Sequence, residues 1–157
     1  MRILAIDPGF ERVGIAIIDK TTTPKHGLVY SDCFKTSSKL PLCDRLNLIG
    51  KEVEKIIKEY KPEALAIEKL YFTTNQKTVM GVSEARGVII YSGTKNGLKI
   101  FEYTPPQIKV AVTGYGKADK GMVISMVPKL IQINKDIKSD DEMDAIAIGI
   151  THLSTTR

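Results

Sequence analysis

The sequence predicts an α/β fold, a mixed five-stranded β-sheet with helices on both faces. Two observations lead to this prediction. Three strand-like runs follow one another near the start of the chain, which is typical of an antiparallel meander. Beyond them, strand-like runs alternate with helical patterns, which is typical of helices packed on a sheet. The length of 157 residues suits one domain, so we expect residues 1–157 to form a single unit.

The predicted strands are short apolar runs bounded by turn residues. The first run ends at Pro8-Gly9, and the fourth ends abruptly at the charged residue Glu68. Three further runs of similar length have the same character. In chain order, the strands are predicted at residues 2–7, 13–18, 28–34, 64–67 and 98–103.

Helices are predicted where apolar residues recur every three or four positions. Pro62 ends the first helix, and Thr104 with Gln107 forms a capping box before the third. A second capping box at residues 139–142 precedes the last helix. Pro128 lies inside the fourth pattern and is expected to kink or shorten that helix. The helices cover about residues 46–60, 76–91, 105–113, 123–131 and 140–153.

Charge and composition narrow the classes of function. The chain carries 23 basic and 18 acidic residues, a net charge of +5, which favours a polyanionic partner such as nucleic acid. Its apolar runs are too short to span a membrane, and no signal peptide is apparent, so we expect a cytoplasmic protein without a membrane partner. Cys33 and Cys43 fit no metal-ligand pattern and are expected to be reduced.

Four acidic residues occupy positions where they could meet. Asp7 ends the first strand, Glu68 ends the fourth, and Asp141 and Asp144 lie three residues apart at the start of the last helix. If strands one and four are neighbours, their carboxyl ends bring the first two acids together. Helical spacing does not choose Asp141 over Asp140, because both share a face with Asp144.

Clustered carboxylates predict a site for hard divalent cations. Such carboxylates repel one another, and without a cation some would have to protonate. Oxygen-only ligands suit Mg²⁺ or Mn²⁺, and two such ions can flank a phosphodiester bond. Taken singly, each acid also has an ordinary interpretation, such as a turn residue for Asp7 or the first solvated position for Glu68. Asp140 and Glu142 are expected only to complement the helix dipole.

Four segments of the sequence carry a recognisable pattern. They are Ile6-Asp7-Pro8-Gly9 with Gly14, Ala66-Ile67-Glu68 with Tyr71, Ala85-Arg86-Gly87-Val88, and Asp141, Asp144-Ala145, Ala147-Ile148 running to His152. In this order they resemble the RuvC family of bacterial Holliday-junction resolvases. The resemblance spans about residues 2–153 and implies the ribonuclease-H-like fold. It also implies that Asp7, Glu68, Asp141 and Asp144 are the catalytic, metal-binding acids, which favours Asp141 over Asp140.

The resemblance implies a function in DNA recombination and repair. A homodimer would bind a four-way DNA junction and nick two strands of like polarity, leaving 5′-phosphate and 3′-hydroxyl ends. Each active site would use two Mg²⁺ ions, for which Mn²⁺ would substitute. A branch-migration motor complex of the RuvA and RuvB type would be a partner.

Basic and aromatic residues acquire roles from the same resemblance. Lys109 and Lys120 match basic family positions near the scissile strand, and Lys120 is counted among the catalytic residues. Lys117 is expected to contact DNA from a nearby loop, and Tyr71 or Phe72 to meet bases near the junction centre.

Two further residues, Arg86 and His152, also have expected roles. Arg86 is expected to pair either across the dimer or within the chain. His152 is interpreted as a cation near the end of the last helix.

Other functions compete with this prediction. A nuclease of the YqgF type, which processes ribosomal RNA precursors, shares the first motif and the size class. A junction-binding protein without catalysis is a second alternative, although clustered carboxylates give a DNA-binding surface no advantage. An actin-like nucleotide-binding domain is disfavoured, because that fold needs two such domains and the sequence has no P-loop.

Overall fold

Six strands form one sheet in the part of the chain that the structure describes. The structure is a computed structural model, which describes residues 1–21, 26–70 and 76–156. For residues 76 and 77 it describes the backbone only. In chain order the strands are β1 (Arg2–Asp7), β2 (Arg12–Asp19), β3 (His26–Lys35), β4 (Ala64–Glu68), β5 (Lys99–Tyr103) and β6 (Ile131–Gln132).

The sheet is mixed, with the order β5-β4-β1-β2-β3-β6. The first three strands are an antiparallel meander, as predicted. The strands β4 and β5 extend the sheet beyond β1 in parallel, and β6 pairs in parallel with β3 at the other edge. The five predicted strands are confirmed. The sixth was missed because two residues are too short to show any periodicity.

Five helices cover the two faces of the sheet within the described residues. In chain order they are α1 (Leu42–Tyr60), α2 (Gln76–Lys95), α3 (Pro105–Thr113), α4 (Lys120–Leu130) and α5 (Asp140–Thr155). The first two pack against one face, and the last three pack against the other. The predicted arrangement of helices on both faces is therefore confirmed. Among the described residues, none of these helices combines the length and apolar character that a membrane crossing needs.

The ends of the helices follow local chemistry. Lys61 adopts the left-handed conformation with φ of 51° after α1, and Pro62 prevents continuation. Thr104 and Gln107 form the predicted capping box of α3. The helix α4 continues two residues past Pro128, which differs little from the predicted boundary.

Side-chain alternation divides the core into two layers. In β1, Leu4 and Ile6 point toward α1 and α2, whereas Ile3 and Ala5 point toward α5. The same alternation runs through β2 and β4. The helix α5 lies close to the sheet because of Gly149, where a Cβ atom would stand 2.4 Å from Ile18 Cδ1.

Candidate active site

Asp7 and Glu68 lie side by side at the ends of two neighbouring strands. Strands β1 and β4 pair in parallel, with Ile6 opposite Ile67, so the residues that follow end at the same edge of the sheet. Alternation turns both carboxylates toward the face that α5 covers, because Ala5 and Ala66 also face that side. The condition on which the sequence argument depended, that strands one and four are neighbours, is confirmed.

The first turns of α5 bring Asp141 and Asp144 to this strand edge. Gly14 in β2, which lies opposite Asp7, allows the approach. A Cβ atom at Gly14 would stand 1.9 Å from the backbone oxygen of Asp141 and 3.2 Å from Asp7 Cβ. Glycine is therefore required by close packing of the helix against the strand, and this explains its place in the first motif.

Burial and mutual repulsion shift the ionisation of the cluster. Burial, followed by the charges of Glu68, Asp144 and Asp141, raises the pKa of Asp7 well above its ordinary value. Burial and the charge of Asp144 raise the pKa of Glu68 to about 7. Burial also raises the pKa of Asp144, although its hydrogen bond with Lys120 opposes the increase. The charges of the other three predicted acids thus all act on Asp7.

Two cations partly neutralise the cluster. Lys120 Nζ lies 3.1 Å from Asp144 Oδ2 and 3.3 Å from Asp140 Oδ2. Arg12 Nε donates to Asp141 Oδ2 at 2.7 Å. Sequence reasoning missed Arg12, whose only signal was its position at the start of β2, two residues before Gly14.

The site suits divalent cations by the chemistry of its donors. The four acids offer only oxygen ligands, and burial followed by the charges of neighbouring acids raises the pKa of Asp7 and Glu68. Within residues 1–21, 26–70 and 76–156, no three acidic, histidine or cysteine side chains already form a cage for a metal ion. Arg12 and Lys120 hold two of the acids instead.

A cleft beside the acids contains two of the predicted lysines. Lys109 of α3 and Lys120 of α4 line it together with Glu68 and Asp144. Its remaining walls are largely aliphatic, formed by Pro105, Ile108, Val123, Ala147 and Ile148.

The other predicted DNA-contact residues lie outside this cleft or outside the description. Lys117 is exposed in the loop between α3 and α4 and does not line the cleft. Tyr71 and Phe72 lie outside the described residues, so their predicted contacts with bases stay a prediction.

The interpretation of Glu142 as a helix-dipole residue was wrong. Glu142 is 3% exposed and accepts hydrogen bonds from Ser31 Oγ and Lys135 Nζ, each at 2.6 Å. Lys138 N donates to its other oxygen at 3.3 Å. The side chain of Ser139 caps α5, but Glu142 does not return the bond, so the second capping box is only half formed. Glu142 instead fastens α5 to β3.

The interpretation of His152 as a cation was also wrong. The ring is 1% exposed, and its Nδ1 atom lies 2.7 Å from the Tyr103 hydroxyl. Burial lowers the pKa of His152, with a smaller effect from the charge of Lys20, so the neutral form is favoured. The helical pattern could not reveal this, because Tyr103 approaches from the strand β5. Cys33 and Cys43 are both free thiols, as predicted.

Comparison with known proteins finds a matching family model and several similar proteins. A family model described as crossover junction endodeoxyribonuclease RuvC matches residues 3–152. The crossover junction endodeoxyribonuclease RuvC of Finegoldia magna is 46% identical over 98% of this chain and 93% of that protein. The RuvC of Halothermothrix orenii is 45% identical over 100% of this chain and 94% of that protein.

A solved structure gives the same picture of the fold. The RuvC of Thermus thermophilus, in complex with a Holliday junction substrate, superposes with a TM-score of 0.90 at 28% identity. The match covers 97% of this chain and 92% of that one. The predicted ribonuclease-H-like fold is therefore confirmed.

Replacing Glu142 by glutamine should destabilise the protein. The change leaves Lys135 without its anionic partner, and we expect the free energy of unfolding to fall by about 1–3 kcal/mol. Asp140→Asn in the same helical turn is the control, because Asp140 is exposed and should alter stability by less than about 0.5 kcal/mol. Urea unfolding of both variants measures the difference, and equal effects would contradict the assigned role of Glu142.

Glu68 should make the metal-free protein less stable as the pH rises. Its pKa is raised from 4.5 to about 7 in the folded state, so the folded protein binds the proton more tightly than the unfolded chain. The resulting stabilisation is present below about pH 4.5 and is lost as the pH rises through about 7. Glu68→Gln should therefore increase the free energy of unfolding by about 1–3 kcal/mol at pH 8 in EDTA, and far less at pH 4. Parallel stability profiles for the two proteins between these pH values would refute the assignment.

Proposed function

The chain belongs to the RuvC family of crossover junction endodeoxyribonucleases, and from this premise we propose that it resolves Holliday junctions by paired nicks. The two nicks fall symmetrically in strands of like polarity, as part of recombination and repair, and residues 1–157 act as one catalytic domain. The observation that carries the proposal is the meeting of Asp7, Glu68, Asp141 and Asp144 at one sheet edge. The aliphatic cleft also supports the proposal, because a substrate backbone bound there would contact the two lysines and lie next to Glu68 and Asp144.

Divalent metal ions are part of this proposal. RuvC nucleases depend on them in general, and we propose two Mg²⁺ ions per active site, with Mn²⁺ as a substitute. The ligands would be the carboxylates of Asp7, Glu68, Asp141 and Asp144. When bound, such ions supply an activated water and stabilise charge on the leaving oxygen.

The chain's own residues bind and orient the substrate around these acids. In the free protein, Lys120 is paired with Asp144 at the mouth of the cleft. We propose that its ammonium group contacts the scissile phosphate once substrate enters, where a cation offsets the charge that develops during attack. Hydrolysis would leave a 5′-phosphate on one fragment and a 3′-hydroxyl on the other.

Lysines near the site supply contacts to the DNA backbone. Residues 105–138 contain six lysines and two aspartates, and the lysines include Lys109, Lys117 and Lys120. Phosphate contacts of this kind position a nucleic acid without reading its sequence, and they weaken as salt concentration rises.

A homodimer is the proposed assembly, with α2 as its contact surface. The small residues of α2 divide into two groups. Gly81 and Ala85 pack inside the chain, Gly81 against Phe10. Ser83 and Gly87 face outward. Met80 and Tyr91, 64% and 63% exposed, lie on the same outward side at helical spacing. Apolar and small residues together favour close packing of a second helix. A motor complex of the RuvA and RuvB type stays a prediction.

Junction cleavage should require the acidic cluster. Purified protein is incubated with a mobile four-way junction, a linear duplex and structured RNA, each with Mg²⁺, Ca²⁺ or EDTA. We expect symmetric nicks in the junction alone, with Mg²⁺ alone, and loss of nicking to background in Asp7→Asn and Asp141→Asn. Asp140→Asn is the matched control and should retain most of the activity.

Each other outcome points to a different function. Cleavage of RNA without a preference for junctions would favour the RNA-processing nuclease. Junction binding without nicks in any metal would leave a structure-specific binding protein. Retained activity in Asp141→Asn together with loss in Asp140→Asn would reverse the assignment between these neighbours.

A larger residue at Gly87 should break the dimer without harming the subunit. A Cβ atom at Gly87 meets no other atom within 4 Å in the single chain, and glycine is a poor helix former. Gly87→Gln should therefore keep or raise the thermal stability of the subunit while weakening self-association at least tenfold. Sedimentation velocity over a range of concentrations measures this, with Lys58→Gln on the exposed side of α1 as control. A wild-type dimer that survives Gly87→Gln unchanged would place the contact elsewhere.

A further inference from the structure

Arg86 bridges two strand ends, and the proposed mechanism gives it no role. It lies in Ala85-Arg86-Gly87-Val88 on α2, and its side chain is 17% exposed. Its Nε atom donates to the backbone oxygen of Glu68 at 3.0 Å. Its guanidinium group also forms an ion pair with Glu102 of β5. Arg86 therefore pairs within the chain, which settles one of the two alternatives left open by the sequence.

The bond from Arg86 reaches Glu68 from the face opposite its carboxylate. The helix α2 packs on the layer that contains Leu65 and Ile67 of β4. Ala66 points the other way, into the layer of α5, and alternation places the Glu68 side chain on that side as well. The arginine thus holds the main chain of Glu68 while leaving the carboxylate free to face Asp7.

The main chain of Glu68 is held by the sheet on one side only. The ladder to β1 runs as far as Ile6 and Ile67 and no longer holds it. On the other side, Glu68 stays in register with Tyr103 of β5, and Lys69 N donates to the Tyr103 oxygen at 2.8 Å. Arg86 adds a side-chain attachment to the Glu68 oxygen and links it to the neighbouring residue of β5, Glu102.

We propose that Arg86 is a positioning residue that sets where the Glu68 carboxylate stands relative to Asp7 and Asp144. The inference rests on the proposed function of Glu68 as a metal ligand. Outer groups that orient a ligand change metal affinity by about 10–100-fold when they are removed. Gly87, the residue after Arg86, lies on the outward side of α2 in the proposed dimer contact. Arg86 therefore connects the helix of that contact with the acidic site.

The test compares Arg86→Met with a matched arginine elsewhere. Methionine keeps most of the aliphatic stem and removes the donors. Arg2 supplies the control, because it also bonds a backbone oxygen, that of Tyr60 at 3.0 Å, and a carboxylate, that of Asp19 at 2.8 Å. Arg2 lies at the start of β1, at the opposite end of the strand from Asp7. Arg86→Lys retains a donor and should restore part of the effect.

The primary measurement is Mn²⁺ binding to the protein without DNA. The electron paramagnetic resonance signal of the free ion reports how much Mn²⁺ remains unbound. We expect binding about 10–100-fold weaker in Arg86→Met, intermediate in Arg86→Lys and unchanged in Arg2→Met. The Mn²⁺ concentration for half-maximal junction nicking should rise in parallel. Junction affinity measured in saturating Ca²⁺ should stay within about twofold of the wild type. Thermal stability measured in EDTA reports any general loss of folding.

Two outcomes would overturn the proposal. One is wild-type Mn²⁺ affinity in Arg86→Met. The other is an equal loss of Mn²⁺ affinity in Arg2→Met, which would show that lowered stability alone explains it. Failure of the wild type to nick junctions in any metal would instead refute the proposed function, while the Mn²⁺ titration would still report on Arg86.

Discussion

Repulsion among carboxylates gathered at one edge of the sheet is the constraint on which the rest of this structure depends. Parallel pairing of β1 with β4 places Asp7 beside Glu68, and α5 adds Asp141 and Asp144. Burial and neighbouring charge raise the pKa of Asp7 and Glu68, so the cluster opposes its own ionisation. A site of this kind is destabilising in the free protein and favourable once divalent cations are bound.

Cations and close packing make the arrangement tolerable in the free chain. Arg12 pairs with Asp141, Lys120 pairs with both Asp140 and Asp144, and the two basic side chains are about half exposed. Gly14 lets the helix approach within contact of β2. Glu142, buried against Ser31 and Lys135, fastens the same helical turn to β3. The turn of α5 that carries Asp141 and Asp144 is thus held both by the contacts of these acids and by those of the neighbouring residue Glu142.

The two faces of the sheet contribute differently to the site. The face covered by α3, α4 and α5 carries the carboxylates and the cleft with its lysines. The opposite face carries α2, whose outward stripe is the proposed dimer contact and whose Arg86 reaches the end of β4. A homodimer formed through α2 would therefore place its interface one helix away from each active site. This arrangement suits an enzyme that must act twice on one symmetrical substrate.

Strand and helix patterns alone were sufficient for the five main strands, for all five helices and for the four acids as candidates. Apolar periodicity and turn residues are local, and they mark where a strand such as β4 ends and therefore where Glu68 stands. The resemblance to a family selected Asp141 over Asp140, a choice that helical spacing left open. In the structure Asp141 pairs with Arg12, and the more exposed Asp140 pairs with Lys120, so this choice stays a prediction.

Only the tertiary structure decided which partners the polar residues meet. Glu142 and His152 looked like surface charges because their neighbours in sequence are helical, yet Ser31 and Tyr103 approach them from distant strands. The partners of Arg12 and Arg86 gave no local signal, since they lie on other elements. Local patterns determine elements because hydrogen bonds and side-chain spacing within an element are short in range. Charge pairing and burial depend on which elements pack together, and that information is distributed over the whole chain.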